Sequence, residues 1–418
     1  MIQLLVSFCE LVAVIGCVTS SIYYLICLRG AAAFLRKRRA DRARSERAGE
    51  SARATQTLPP VSILKPLKGT DPEIYESFRS HCLQDYPEYE IIFGVSDPND
   101  PAAARVQELQ REFSGYPIRL VICPEKLGPN LKVSNLEQML RSARYEHLIV
   151  NDSDIRVEPD YLRRVMRPLV TQPSTADPDA PDPINQQQVG MVTCLYRGVA
   201  ANTFGSRLES LGISTDFCPG VLAAHQLEGS LHFALGSTLA FRRADLELIG
   251  GFRAMVDYLA DDYELGRRIA DLGREVRLSD VVVETHLPAY DRRGFLAHQL
   301  RWARGVRDSR PGGYFGLVST FGLMWALLAL AAAQAATWSW EVLGVVVLLR
   351  LAVALGVGHS VLRDRQLLRN LWLLPLRDLV GAAVWIASFT GHAVTWRGDR
   401  FELKDGRLIQ LEQGKNAS

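Results

Sequence analysis

The sequence predicts an α/β protein: a mostly parallel sheet covered by helices, set between segments apolar enough to cross a membrane. Three observations carry this. Between residues 59 and 310, short apolar runs alternate with amphipathic ones, and a repeated strand–helix order implies a parallel sheet with helices on its faces. Residues 2–28 form an apolar run broken by one charge, Glu10, and roughly 20 such residues suffice to span a bilayer. The last third of the chain turns apolar again over 314–338, 342–362 and 371–396.

The chain has 418 residues, a net charge of +2 and 22% charged residues. That length holds one large domain plus membrane segments, and the balanced charge argues against nucleic acid as a partner. The seven cysteines (Cys9, Cys17, Cys27, Cys82, Cys123, Cys194 and Cys218) contain no C-x-x-C pair. Neither a zinc knuckle nor a disulfide framework is indicated.

At the N-terminus the basic residues follow the apolar run: Arg29, Arg36, Lys37, Arg38, Arg39 and Arg42. A signal peptide has them in front. Residues 1–28 are therefore expected to be a retained anchor, with the N-terminus outside and the next domain in the cytoplasm. Residues 29–58, rich in Arg, Ala and Ser without an apolar period, are expected to be a cytoplasmic linker whose charges also touch anionic lipid heads.

In the soluble middle, 59–310, strands are predicted at 61–65, 90–96, 118–123 and 148–151. Between them lie helices from the Asp71-Pro72 cap to about 83, at 101–113 behind Pro101, at 131–143, and from 159 to 170. Residues 171–188, polar and proline-rich, read as a flexible surface loop without chemistry. Further strands are expected near 189–195, 232–242 and 275–285, and helices near 203–213, 261–272 and 291–306.

The C-terminal region, 311–418, starts with two expected spans joined by Thr337-Trp338-Ser339-Trp340-Glu341. A basic-free, tryptophan-bearing turn suits the outer interface. The stretch 371–396 is flanked by Arg363, Arg365 and Arg369 before it and Arg397, Arg400 and Lys404 after it, and contains Pro375, Arg377 and Asp378. Basic residues on both sides predict two cytoplasmic ends, hence a re-entrant or interfacial hairpin rather than a straight span. Arg350, in mid-span, must face protein or snorkel, an ion pair being the structural alternative to a functional role.

The candidate chemistry rests on four separated pieces. Asp152-Ser153-Asp154 follows the apolar strand H-L-I-V-N; two carboxylates on a strand-end turn suit a hard divalent cation, Mg²⁺ or Mn²⁺, placed against a diphosphate. An isolated D-x-D is more often an Asx-turn or a helix cap; the preceding strand favours the site. Asp97 follows the strand E-I-I-F-G-V-S and can accept hydrogen bonds from a nucleotide, with Asp100 the better cap for the helix behind it. Asp262, in L-A-D-D-Y-E-L at a helix start, stays ionised beside the helix N-terminus and can serve as a general base; Asp261 competes for that role. In H-Q-L-R-W-A-R, Gln299 and Trp302 share a helix face, Arg301 can neutralise diphosphate charge, and the indole can wall an acceptor site, or the pair can anchor at an interface. Lys65, Lys68, Lys132 and Asn135 form a weaker phosphate-binding set.

Read together, S-I-L-K-P-L-K-G-T-D-P, D-Y-P-E-Y-E-I, V-S-D-P-N-D-P-A, N-D-S-D-I-R-V, Y-L-A-D-D-Y-E-L-G and the R-W pair resemble the ceramide glucosyltransferases, inverting enzymes of the GT-A fold. The resemblance covers about 59–310 and is nearest to the bacterial branch, which includes hopanoid-associated lipid glycosyltransferases. It implies that Asp97 and Asp152 contact the donor nucleotide, that Asp152 and Asp154 hold the metal, and that Asp262 is the base. Gln299, Arg301 and Trp302 would belong to a Q/R-x-x-R-W element, although His298 occupies its first position. A UDP-sugar donor, glucose or N-acetylglucosamine as the sugar, a membrane lipid acceptor of ceramide or hopanoid type, and a place in the bacterial inner membrane with the catalytic domain cytoplasmic follow from the same resemblance. A processive polysaccharide synthase shares such a core but needs more spans than this chain offers.

Overall fold

The computed structural model describes residues 1–47, 58–170, 188–396 and 399–411. Most of the expected proline-rich loop, 171–187, and residues 48–57 of the expected linker lie outside them.

Helix α1 (Ile2–Arg47) is one uninterrupted element. Its first half shows lipid-ready side chains to the outside, with Leu4, Phe8, Leu11, Ile15, Val18, Ile22 and Leu25 exposed. Its second half corrects the linker expectation through Arg47. Arg, Lys and Ala are strong helix formers, and Ala31, Phe34 and Arg38 recur at helical spacing on a buried stripe that the Arg-rich composition disguises.

The expected strand–helix series follows: β1 (Val61–Leu67), α2 (Ile74–Cys82), β2 (Tyr89–Val95), α3 (Pro101–Glu112), β3 (Ile118–Ile122), α4 (Leu131–Leu140), β4 (His147–Val150), β5 (Ile155–Arg156) and α5 (Tyr161–Val170). The chain continues with β6 (Val189–Val199), α6 (Phe204–Gly212), a π-helical turn (Ile213–Phe217), α7 (Cys218–Glu228), β7 (Leu239–Arg242), α8 (Arg243–Leu248), α9 (Asp261–Asp271), β8 (Glu275–His286) and α10 (Arg292–Ser309). The sheet order is β3-β2-β1-β4-β7-β6-β8-β5. β3, β2, β1 and β4 are mutually parallel, as is the β6–β8 pair, while β7 runs antiparallel to both its neighbours and β5 antiparallel to β8. Of the strand expected near 232–242 only Leu239–Arg242 pairs in the sheet; before it Leu231 bridges to Val276 of β8 and Leu235 to Thr238 in a turn. Both faces of the parallel half are covered, and β1 and β2 are buried along their whole length, as helix-covered parallel strands must be.

The membrane region departs from the expectation in two places. The span expected at 314–338 is broken: α11 (Pro311–Gly316) and a 3₁₀ turn lead to α12 (Gly322–Ala332) through a bend of 52°. The break falls at Phe321-Gly322, and Gly322 packs so tightly on Tyr24 and Val346 that an added Cβ would sit 2.8 Å from the Tyr24 hydroxyl. Next, α13 (Thr337–Val353) runs on through a π-helical segment to Val361. The third stretch starts earlier than expected, with α14 (Arg365–Asn370) and α15 (Leu374–Ser388), and its end is not helical: Ala393–Trp396 is β9, paired with β10 (Asp399–Lys404) and β11 (Arg407–Gln410) in a separate antiparallel sheet. By length and composition three helices can cross a membrane: Gln3–Ala43, Thr337–Val361 and Arg365–Ser388, with the bent pair as a fourth. Arg350 faces protein, its side chain 7% exposed, pairing with Asp216 at 2.5 Å and Asp378 at 2.6 Å.

Candidate functional site

The parallel registers align the carboxyl ends of β1, β2 and β4 on one edge, the edge beyond which α/β folds bind ligands. Asp97 and Asp152 are placed there. β7, being antiparallel, brings its amino end to the same edge, Leu239 opposite Val150, and with it the turn that carries Gly236. A Cβ on Gly236 would lie 2.9 Å from Asp152 Oδ2 and 3.1 Å from Asp262 Oδ2. Two carboxylates 110 positions apart in the chain thus flank one glycine, and only a hydrogen side chain leaves room between them.

Asp262 and Asp261 have different surroundings. The Asp262 carboxylate accepts from the backbone N–H of Gly236 and of Tyr263, both at 2.8 Å. Burial, with Asp261 adjacent, pushes it up to about 6 against the pull of Lys132. Asp261 turns inward, pairing with Lys132 at 2.9 Å and meeting the Asn130 amide at 3.4 Å. Asn130 caps α4 through Val133 N–H and donates to the Tyr258 carbonyl, which ties the start of α4 to the approach of α9.

Two of the three lysines expected to meet phosphate are engaged within the protein. Lys132 Nζ bridges Asp152 Oδ1 at 2.8 Å and Asp261 Oδ2; burial alone would lower its pKa, but Asp152, Asp261 and Asp262 raise it above the ordinary lysine value. β1 extends to Leu67, so Lys65 lies fully buried inside the strand and donates to the Asp152 carbonyl at 2.9 Å. Burial pushes it down to about 7 against the attraction of Asp154, Asp152 and Asp71. It shapes the D-x-D turn from beneath, with no face open to a ligand. Lys68 is exposed, and Asn135 is buried, its side-chain oxygen accepting from Ser96 at 2.8 Å.

Asp154 accepts from the Thr285 hydroxyl of β8, and burial with neighbouring Asp152 pushes its carboxyl up to about 6. Ser153 donates to Asp71, so Asp71 serves the turn rather than capping α2, which starts only at Ile74. Among the described residues no group of three His, Cys, Asp or Glu side chains forms a metal cage. Two crowded carboxylates nevertheless fit a hard ion that keeps waters and takes its remaining oxygens from a bound diphosphate. Asp97 is exposed, its carboxylate accepting from Asn99 N–H, while Asp100 caps α3 through Ala102 N–H at 2.9 Å.

α10 lies beside this edge. Burial pushes the Tyr290 hydroxyl up, with Glu209 and Asp154 adding to the shift and Arg301 opposing it. The Trp302 ring meets Phe217 edge-on at 5.7 Å and His298 at 5.9 Å. Gln299 faces away from the acidic edge: it donates to Glu209 of α6 and accepts from Arg377 of α15 at 2.6 Å. Arg377 also pairs with Asp216 at 2.8 Å, so Gln299 joins the transferase domain to the membrane region. No local pattern pointed to its partners, which lie 90 residues before and 78 after it. The β10–β11 turn was equally hidden. Leu259 N–H donates to Gly406 O, Leu408 N–H to Asp257 O, and Arg407 lies over the Tyr258 ring at 5.3 Å, clamping the segment that leads into Asp261-Asp262.

Acidic groups gathered past the carboxyl ends of the parallel strands, with helices before and after that are long and apolar enough to cross a membrane, put the chain in the GT-A class of α/β folds. Within that class, the chain belongs to glycosyl transferase family 21, whose family model matches residues 12–409. It is 24% identical to ceramide glucosyltransferase 3 of Caenorhabditis elegans over 248 residues, 59% of this chain and 50% of that protein. It is 36% identical to the ceramide glucosyltransferase of Komagataella phaffii over 115 residues, 26% of this chain and 23% of that one. The alignments thus span half or less of these relatives' length. Among solved structures, a mannosyltransferase from Pyrobaculum calidifontis in complex with GDP-Man and Mn²⁺ superposes with a TM-score of 0.44 at 20% identity, covering 87% of this chain and 99% of that one.

Proposed function

We propose that this chain is an inverting glycosyltransferase that passes glucose or N-acetylglucosamine from a UDP-sugar to the hydroxyl of a membrane lipid of ceramide or hopanoid type. The observation that carries the reading is the Asp262 carboxylate, held by two backbone N–H groups and facing Asp152 across Gly236. Asp262 takes the proton of the acceptor hydroxyl. The freed oxygen forms its bond to the anomeric carbon as the bond to the diphosphate breaks, and one displacement inverts the centre. Asp152 and Asp154 would hold Mg²⁺ or Mn²⁺, which when bound offsets the negative charge of the diphosphate. Asp97 receives the nucleotide, Arg301 adds positive charge, and Trp302 with Phe217 walls the acceptor side. Lys132 and Lys65 act as positioning residues for Asp152 and Asp261.

The orientation belongs to the same proposal: α1 anchors the chain in a bacterial inner membrane, with the catalytic domain in the cytoplasm. The two ends of α15 support a surface-lying third segment, because both attach to α10: Arg377 to Gln299, and Ser388 to Arg307. The eight residues from Gln299 to Arg307 rise only about 12 Å along that helix, against a hydrocarbon core of about 30 Å.

Asp262→Asn keeps the size of the side chain and removes its basicity. Transfer is expected to fall by about 10²- to 10⁴-fold with UDP binding little changed, as measured by lipid glycosylation and calorimetry on purified protein. If Asp261→Asn gave that loss while Asp262→Asn stayed near normal, the base would be the other carboxylate.

A further inference from the structure

Where the second half of α1 meets the junction of α13 and α14, five arginines line an open crevice: Arg38, Arg42, Arg164, Arg197 and Arg363. Two are neutralised. Arg164 pairs with Asp280 at 2.6 Å and Arg197 with Glu284 at 2.5 Å. The other three have no carboxylate partner among the described residues. Arg38 is buried and donates only to backbone carbonyls, Val361 O at 2.9 Å and Ser360 O at 3.0 Å. Arg42 and Arg363 are exposed. Against these three cations the crevice offers one further acid, Glu158. Holding a buried guanidinium beside two others without a counter-charge is costly, and Arg363 adds a left-handed backbone, φ 56°, which a side-chain-bearing residue rarely adopts.

We infer that Arg38, Arg42 and Arg363 form a binding site for a phosphate group, separate from the acidic edge and independent of the transfer reaction proposed above. Forked guanidinium groups match phosphate oxygens in geometry and charge, and one phosphate would supply the counter-charge the crevice lacks. The junction also carries exposed apolar side chains, Leu368 and Trp372, the latter 71% exposed, on the helices that follow Arg363. That setting suits a phosphate carried by a lipid headgroup; a soluble phosphate meets the same chemistry.

The test is thermal unfolding of the full chain in phosphatidylcholine vesicles, in vesicles with added phosphatidylglycerol, and in phosphatidylcholine vesicles with millimolar inorganic phosphate. A ligand bound only to the folded state raises the midpoint, here by about 2–4 °C or more. Phosphatidylglycerol is expected to give this rise, and the exposed double variant Arg42→Gln/Arg363→Gln to lose it. A rise with inorganic phosphate alone, lost in the same variant, would support the site and assign it to a soluble ligand. No rise under either condition would overturn the inference. So would an equal loss in Arg39→Gln/Arg365→Gln, two exposed arginines outside the crevice, since the effect would then be diffuse surface charge.

Discussion

Gly236→Ala probes the acidic edge without deleting any functional group. The new methyl would begin 2.9 Å from Asp152 Oδ2 and 3.1 Å from Asp262 Oδ2. Restoring an ordinary van der Waals separation requires Asp152 to retreat by about 0.5 Å and Asp262 by about 0.3 Å, which together widen the gap between them by about 0.8 Å. Asp262 cannot do so without stretching its 2.8 Å bonds to Gly236 N–H and Tyr263 N–H, nor Asp152 without loosening its 2.8 Å pair with Lys132. A misplacement approaching 1 Å costs about 10²-fold in rate, equivalent to about 2.7 kcal/mol of barrier. The backbone at Gly236 is not in the left-handed region, so alanine meets no φ penalty there, and reduced freedom of the unfolded chain offsets about 0.4–1 kcal/mol of the packing cost. The expected signature is a kcat lowered about 100-fold with the thermal midpoint near that of the parent, read from sugar transfer to a lipid acceptor and from calorimetry. A variant with parental kcat and an unchanged midpoint would refute the placement of the reacting groups between Asp152 and Asp262.

Three further outcomes follow from the same geometry. Asp154→Ala should lose most of its response to Mg²⁺ or Mn²⁺ added back after chelation, and full parental activity in chelator would remove the ion from the mechanism. Glu90, buried between β1 and β3, accepts from Ser62, from Arg144 N–H and from the Arg144 and Arg119 guanidinium groups; burial opposes ionisation, but these donors hold its carboxyl below the ordinary value. Its stabilisation is therefore present above the unfolded carboxyl pKa and lost as pH falls through the depressed folded one. Glu90→Gln should cost about 1–3 kcal/mol at neutral pH and flatten the acid limb of the stability curve, and an unchanged limb would contradict this. A reporter fused after Ser418 should be active only in the cytoplasm, because β9–β11 dock on the catalytic domain at Tyr258 and Leu259; activity only outside would exclude the surface-lying α15.

Local pattern was enough for much of this protein. The strand–helix series from β1 to α5, the anchor in the first half of α1, the D-x-D turn and the D-D helix start are all written in runs of fewer than 30 residues, where hydrophobic period and capping residues decide the outcome. The same local rules read Asp100 correctly as a cap and required Arg350 to face protein or snorkel, of which the fold takes the first. What they could not reach is pairing across the chain. Lys65 and Lys132 read as members of a phosphate-binding set; only the pairing of β1 with β4 and the packing of α4 on the approach to α9 turn them into supports for Asp152 and Asp261. Gln299 resembled a catalytic motif residue, and its meeting with Glu209 and Arg377 depends on how α6, α10 and α15 pack. The choice between Asp261 and Asp262 was open for the same reason: two adjacent carboxylates at a helix start are chemically alike in sequence, and the pairing of Asp261 with Lys132 is what gives them different surroundings, the basis of the proposed assignment. Gly236 is the plainest case, an unremarked glycine until the antiparallel β7 sets it between two acids. A sequence states which groups a chain carries and what each short segment prefers; which charges share a site depends on desolvation and on distances of a few ångströms, and those exist only once distant segments have packed.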